Sequence, residues 1–183
     1  MERALFLDRD GVINVDHGYI GTVGRFHVIP GVFAALTRAE WLGYRLIVVT
    51  NQSGIARGYF SADDYGRVER HMVDVFAAHG ISFTGIYHCP HHVDGVDGQF
   101  AVECSCRKPA PGLLIRACAD HAIDPARSIM VGDKPSDLEA GGAAGVDNGF
   151  LIDSTAPETG KRFKSLSSLI ASPIFEKIAR QNR

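Results

Sequence analysis

The chain lacks a surplus of either charge: 19 lysines and arginines stand against 21 aspartates and glutamates, a formal net charge of -2. A nucleic-acid partner would call for a basic surplus, so none is expected, and any bound anion must meet a local cluster of cations. Long apolar runs are also missing. The opening MERALFLDRDG has one short apolar run between charges, too short for the core of a signal peptide. No stretch approaches the roughly 18 apolar residues of a membrane span. A cytoplasmic protein without membrane contact is expected, in a reducing compartment where structural disulfides are rare and clustered cysteines more often bind metal. Repeats, low-complexity tracts and long linkers are absent too. At 183 residues, 45% hydrophobic, the chain has room for one sizeable core and little for two. Residues 1–183 are therefore read as a single domain, monomeric by default because no separate dimerisation element stands out.

What is present is a regular alternation of short apolar runs with helical patterns. Ala4 to Asp8, Tyr44 to Thr50, Phe83 to His88, Ser128 to Asp133 and Gly149 to Asp153 read as buried strands. Between them, Pro30-Gly31 opens a helical stretch, and Ser61 is a candidate N-cap for a helix whose Val68, Met72, Val75 and Phe76 share one face. Two more helices follow in PGLLIRACADHA and SDLEAGGAAG, and a C-terminal one is interrupted near Pro173. This rhythm predicts an α/β fold, a Rossmann-like parallel sheet flanked by helices, with ligands beyond the carboxyl ends of the strands.

The unusual polar motifs fall at those ends. Asp8 and Asp10 follow the first run, Thr50-Asn51-Gln52-Ser53 the second, a Cys/His-rich segment with Arg107-Lys108 the third, and Asp133-Lys134 the fourth. Neighbouring carboxylates need a counterion or a shared proton. With Asp133 added they suit Mg²⁺, which takes few carboxylates alongside water and phosphate oxygens. Phosphate is implied by the rest: Thr50 and the amides after it donate hydrogen bonds, while Arg107, Lys108 and Lys134 supply local positive charge. Alone, an Asp-x-Asp is more often a turn with solvated carboxylates than a metal site.

Taken together and in this order, FLDRDG, VVTNQSG, CRKPAPG and VGDKPSD resemble the four motifs of the haloacid dehalogenase-like phosphohydrolases. NVDHGYI, TNQSGIARG and CPHH…CSCRKP further resemble one branch, the D-glycero-D-manno-heptose-1,7-bisphosphate 7-phosphatases, which serve nucleotide-activated heptose biosynthesis. The resemblance implies that Asp8 is a nucleophile forming an aspartyl-phosphate and that Asp10 is general acid and then general base. It implies that Asp8, Asp133 and the backbone carbonyl of Asp10 hold Mg²⁺, that Thr50 and Lys108 hold the transferring phosphoryl group, and that Arg107 recognises the rest of a small phosphorylated sugar. Asp16, His17, Gly18 and Tyr19 match a substrate-contacting stretch of the branch. No room is left for a large cap domain, so the site should be open and short loops must discriminate among substrates. Arg57 and Arg107 could meet a second anionic group.

Three readings compete for the segment from Tyr87 to Pro109: a metal site, a disulfide loop, or a nucleophilic cysteine. Cys89-Pro90-His91 and Cys104-Ser105-Cys106 give two ligand pairs, and three thiolates with one imidazole make a closed tetrahedral Zn²⁺ set. Spacing alone leaves His92 open as the imidazole. A disulfide within Cys104-Ser105-Cys106 would be strained, and Asp8 already offers a nucleophile suited to phosphate. The branch carries a structural zinc in this loop, residues 88–108, with ligands matching Cys89, His91, Cys104 and Cys106. Cys118 lies in a helical pattern and reads as a small core residue. Two rival functions remain: histidinol-phosphate phosphatase, which shares most of these motifs, and a zinc-stabilised binding module without catalysis.

Overall fold

The computed structural model describes residues 1–181; residues 182 and 183, the end of the stretch read as a single domain, lie outside it. Six parallel strands form one sheet in the order β3-β2-β1-β4-β5-β6. They are β1 (Ala4–Leu7), β2 (Arg45–Asn51), β3 (Gly85–Cys89), β4 (Ile129–Gly132), β5 (Asn148–Ile152) and β6 (Arg162–Phe163). β1 lies at the centre, pairing Leu5 with Leu46 of β2 and with Ile129 of β4. The helices are α1 (Val32–Trp41), α2 (Ala62–Ala77), α3 (Gly112–His121), α4 (Pro135–Ala143), α5 (Leu166–Ile170) and α6 (Pro173–Gln181).

Side chains alternate across a strand, so consecutive apolar residues in a central strand need cover on both faces. Leu5 and Leu7 face one layer with Leu46, Val48, Ile129 and Val131, covered by α1, α2, α5 and α6 through residues such as Leu36, Met72, Phe76, Leu169 and Phe175. Ala4 and Phe6 face the other with Ile47, Val49 and Met130, covered by Leu113, Leu114 and Ala117 of α3 and Ala140 of α4.

Strand and helix ends differ from the expected ones by one or two residues. β3 begins at Gly85 and runs on to Cys89, so His88 lies just inside the strand and the first thiol sits at its end. β6 was not foreseen. At two residues it shows no alternation, and its place is set by backbone bonds such as Asp153 N–H to Phe163 O, 2.8 Å. The cap on α2 follows from its sequence: Ser61 Oγ accepts from the Asp64 amide at 3.0 Å, and Asp64 Oδ2 accepts from the Ser61 amide at 2.9 Å. The C-terminal interruption is the break between α5 and α6, where Pro173 occupies the first position of the new helix, a place that needs no amide hydrogen. Cys118 is half-buried against the α3 layer.

Candidate active site and metal-binding loop

The ends of β1, β2 and β4 bring a lysine among carboxylates. Lys108 is 3% exposed, and its Nζ donates to Asp8 Oδ1 at 2.9 Å and Val49 O at 2.7 Å while lying 2.6 Å from Asp137 Oδ1. Burial works against the ammonium charge, but Asp8 and Asp137 hold it above the ordinary lysine range. Asn51 braces this lysine from β2: its Nδ2 donates to Lys108 O at 3.0 Å and its Oδ1 accepts from Lys108 N–H at 3.1 Å. The motif TNQSG thus positions the cation of another segment.

Asp133, after β4, is pushed up to about 7 by burial and by the Asp8 charge beside it. Asp137, in the first turn of α4, is raised by the same two causes, in the same order, despite Lys108. Asp137 was missed in the sequence. Its signal was the fourth position after Asp133 at a helix start, where a carboxylate also caps: Oδ2 accepts from the Lys134 amide at 3.0 Å. Close approach is built in by glycine. A Cβ on Gly11, φ 82°, would lie 2.7 Å from Asp133 Oδ2, and one on Gly132 would lie 2.2 Å from Asp137 Cβ.

The Asp10 carboxylate is not part of that acidic group. It accepts from Arg9 Nη2 at 3.0 Å on both oxygens, from Asn14 Nδ2 at 2.9 Å and from Gln52 Nε2 at 3.0 Å. Arg9, also missed, is 0% exposed and stacks its guanidinium 5.6 Å from the Tyr65 ring. A charged residue between two aspartates reads as surface until the fold encloses it. Gln52 Nε2 also donates to Thr50 Oγ1 at 3.0 Å.

A cavity of about 380 Å³ opens over these groups. Asp8, Asp10, Asp16, Gly18, Tyr19, Asn51, Gln52, Ser53, Arg107, Lys108 and Lys134 all line it, so most of the residues singled out in sequence meet in one place. Thr50 and Asp133 are not in the lining, but each touches a residue that is, Thr50 meeting Gln52 and Asp133 meeting Lys134. Lys134 Nζ bridges Asp16 Oδ2 at 3.7 Å and Asp133 Oδ2 at 3.5 Å. His17 is outside the lining, its Nε2 3.2 Å from His27 Nδ1. Arg57 sits on the zinc-loop side, Nη2 2.9 Å from His92 Nε2.

Oxygen donors of Asp8, Asp133 and Asp137 lie within 4.8 Å of one another, and Asp133 Oδ1 is buried without a hydrogen-bond partner. An orphaned carboxylate oxygen beside a second carboxylate fits a small hard cation, which would also reverse the upward push on Asp133. Both Asp137 oxygens are engaged, Oδ1 by Lys108 and Oδ2 by the Lys134 amide, whereas Asp8 gives Lys108 only Oδ1; that leaves the other Asp8 oxygen and Asp133 Oδ1 as donors.

The second candidate centre is soft. Sγ atoms of Cys89, Cys104 and Cys106 lie 3.2 to 3.6 Å apart, and His91 Nδ1 is 3.7 Å from Cys89 Sγ and 3.4 Å from Cys106 Sγ. Zn–S bonds of about 2.3 Å and Zn–N bonds of about 2.0 Å in a tetrahedron require S···S edges near 3.8 Å and S···N edges near 3.5 Å. The set therefore fits zinc, with thiols drawn slightly close. Geometry selects His91 over His92, whose ring turns to Arg57 and to Asp94 Oδ2 at 3.7 Å. All four cysteines are free, so the disulfide reading fails. Burial pushes the Cys89 thiol well above its ordinary range, which disfavours it as a nucleophile. No helix among the described residues is long and apolar enough to cross a membrane.

A doubly wound parallel sheet with carboxylates after β1 and β4 and a buried lysine between them is the arrangement of the HAD-like hydrolases, and a HAD-hydrolase-like family model matches residues 105–154. The chain is 46% identical over 164 residues, 88% of its own length and 89% of the relative's, to D-glycero-beta-D-manno-heptose-1,7-bisphosphate 7-phosphatase of Pasteurella multocida. It is 48% identical over 150 residues, 82% and 79% of the two chains, to the D-glycero-alpha-D-manno enzyme of Burkholderia mallei. The crystal structure of D,D-heptose 1,7-bisphosphate phosphatase from B. bronchiseptica, complexed with magnesium and phosphate, superposes with a TM-score of 0.79 at 28% identity, over 98% of this chain and 99% of that one. The chain belongs to the heptose-1,7-bisphosphate 7-phosphatase family of HAD-like phosphatases.

Proposed function

We propose that this protein is a Mg²⁺-dependent phosphatase that removes the 7-phosphate of D-glycero-D-manno-heptose 1,7-bisphosphate through an aspartyl-phosphate. The observation that carries the reading is the Asp8 carboxylate, buried at the cavity floor and bonded to Lys108 Nζ at 2.9 Å. A carboxylate attacking a phosphate meets a repulsion of roughly 4 kcal/mol per unit-charge pair at ~4 Å and an effective dielectric of ~20. Lys108 offsets it from the protein side, held in place by Asn51 and Asp137. Mg²⁺, held by Asp8 and Asp133 with the Asp10 backbone carbonyl, would supply the remaining positive charge and orient the phosphate oxygens. Asp8 Oδ forms a bond to phosphorus as the sugar oxygen leaves. Asp10 gives that oxygen its proton, then takes one from the water that cleaves the acyl phosphate. Asp10 enters the first transfer protonated, and Arg9, Asn14 and Gln52 hold the carboxylate that is left until it takes the proton of water. Thr50 and Ser53 supply further donors to the phosphoryl group, and Arg107, Lys134 and the Asp16–Tyr19 loop address the rest of the substrate. Zn²⁺ on Cys89, His91, Cys104 and Cys106 is structural and shapes the loop that carries Arg107 and Lys108.

Assaying heptose 1,7-bisphosphate beside histidinol phosphate tests the substrate. Faster turnover of the bisphosphate is expected, with inorganic phosphate leaving from C7. Preference for histidinol phosphate would overturn the assignment, and a protein inactive on both and indifferent to Asp8→Asn would favour a zinc-stabilised binding module.

A further inference from the structure

Two exposed tyrosines pack together, one of them in the cavity lining and the other outside it. Tyr19 lines it, is 48% exposed, and has φ 51°, a left-handed conformation that residues other than glycine seldom adopt and that gathers at functional positions. Tyr59 comes from the loop after β2 and is 60% exposed. The two rings lie 4.4 Å apart between centroids, tilted at 56°. Neither ring rides on a loose loop. Phe60, 9% exposed, is wedged beneath both segments, so that a Cβ on Gly21 would come within 2.4 Å of it and one on Gly54 within 2.3 Å. Gly54 itself lines the cavity, and its carbonyl accepts from the Tyr59 amide at 2.9 Å.

We infer that Tyr59, paired with Tyr19, is a specificity residue that forms an apolar wall for the carbon skeleton of the leaving sugar. The inference rests on the sugar-phosphate reading above. The cavity floor is charged or polar and addresses phosphates and hydroxyls, whereas a sugar also presents C–H faces that gain only from apolar surface. Aromatic rings supply such surface at small entropic cost, having two side-chain torsions to fix. The tyrosine pair is the aromatic surface that continues directly from the cavity lining. Tyr59 touches neither Asp8 nor Lys108, so it acts on the choice of substrate and leaves the chemical step alone.

Steady-state kinetics of Tyr59→Ala and Tyr59→Phe, with heptose 1,7-bisphosphate and with acetyl phosphate, which has no sugar, test this. Tyr59→Ala should raise KM for the bisphosphate about 10-fold, leave its kcat within a factor of two, on the order of experimental scatter, and leave acetyl phosphate hydrolysis unchanged; Tyr59→Phe should restore the KM. An unchanged KM in Tyr59→Ala, or an equal loss on both substrates as expected of a mere clamp between loops, would overturn the wall. If the wild type ignores heptose bisphosphate, the substrate assignment fails by itself. The wall is then judged by the kcat/KM ratio of fructose 1,6-bisphosphate to acetyl phosphate, which Tyr59→Ala must still lower; an unchanged ratio refutes it.

Discussion

The protein carries two candidate metal-ligand sets of opposite character at one edge of the sheet, with β2 between them. One is hard: Asp8 and Asp133 directly follow β1 and β4, with Asp137 beside them in the first turn of α4, and their positions come from the sheet itself. The other is soft: Cys89 ends β3, but His91, Cys104 and Cys106 lie on a segment without strands or helices of its own. Regular structure can hold carboxylates in place without an ion, at the cost of burying their charge, as the raised Asp133 and Asp137 record. The loop has only turns and scattered backbone bonds, such as Val96 N–H to Ala56 O at 2.8 Å, and the proposed ligand bonds would supply the rest of its order. In zinc peptides that source is worth on the order of 10 kcal/mol. On the function proposed above, the hard set serves turnover and the soft set serves shape. They meet in the chain at Cys106-Arg107-Lys108, where the last thiol precedes the two cations.

That contrast is easiest to break at Asp8. Asp8→Asn should lower kcat by about four orders of magnitude or more with an unchanged melting temperature, since Asp137 still pairs with Lys108; a variant with near-normal phosphate release would end the division of labour. Asp10→Asn should cost about 10²- to 10⁴-fold in kcat, with substrate KM largely kept, measured by the same assay. Chelation with metal analysis separates the two ions: losing Mg²⁺ should stop turnover at once and reversibly while the fold melts as before, and residual activity in metal-free enzyme would contradict the floor assignment. Cys104→Ser should act in the other sense, lowering zinc content, exposing residues 92–103 to protease and raising KM by roughly 10-fold through misplaced Arg107 and Lys108. Unchanged kinetics in that zinc-depleted variant would cut the link between shape and binding. The smallest effect is expected at the cap of α2. Ser61→Ala should lower the melting temperature by about 3 °C without touching activity. Hydrogen bonds from Ser61 hold the Asp64 carboxyl below its ordinary 3.8, so this contribution is present at neutral pH and fades as acid protonates the carboxyl; the gap between wild type and variant should close there.

Much of this contrast is legible in the sequence because strands buried on both faces announce themselves as apolar runs, and each run is followed by its polar motif. The α2 cap and the break at Pro173 are likewise local chemistry. What cannot be read that way depends on what lies across the sheet. Arg9 resembles any charged residue beside an aspartate until Tyr65 and Gln52 close over it. Asp137 is one turn of helix from Asp133, but its pairing with Lys108 exists only once β4 lies beside β1. His91 and His92 are equivalent by spacing, and the backbone after β3 decides between them by turning one ring to the thiols and the other to Arg57. β6 has too few residues to carry a pattern.

The central place of β1 bears on how activity is lost. The proposed nucleophile, Asp8, follows a strand hydrogen-bonded on both sides and covered on both faces, the part of such a fold that opens last. The groups proposed to choose and hold the substrate sit on the Asp16–Tyr19, Ser53–Phe60 and zinc loops, which are anchored by Phe60 and by the thiol cluster but lack strand pairing and so open before β1. On warming, the enzyme should thus forget its substrate while its nucleophile is still in place, and amide exchange at Leu5 to Leu7 should stay slow at temperatures where catalysis has already ceased.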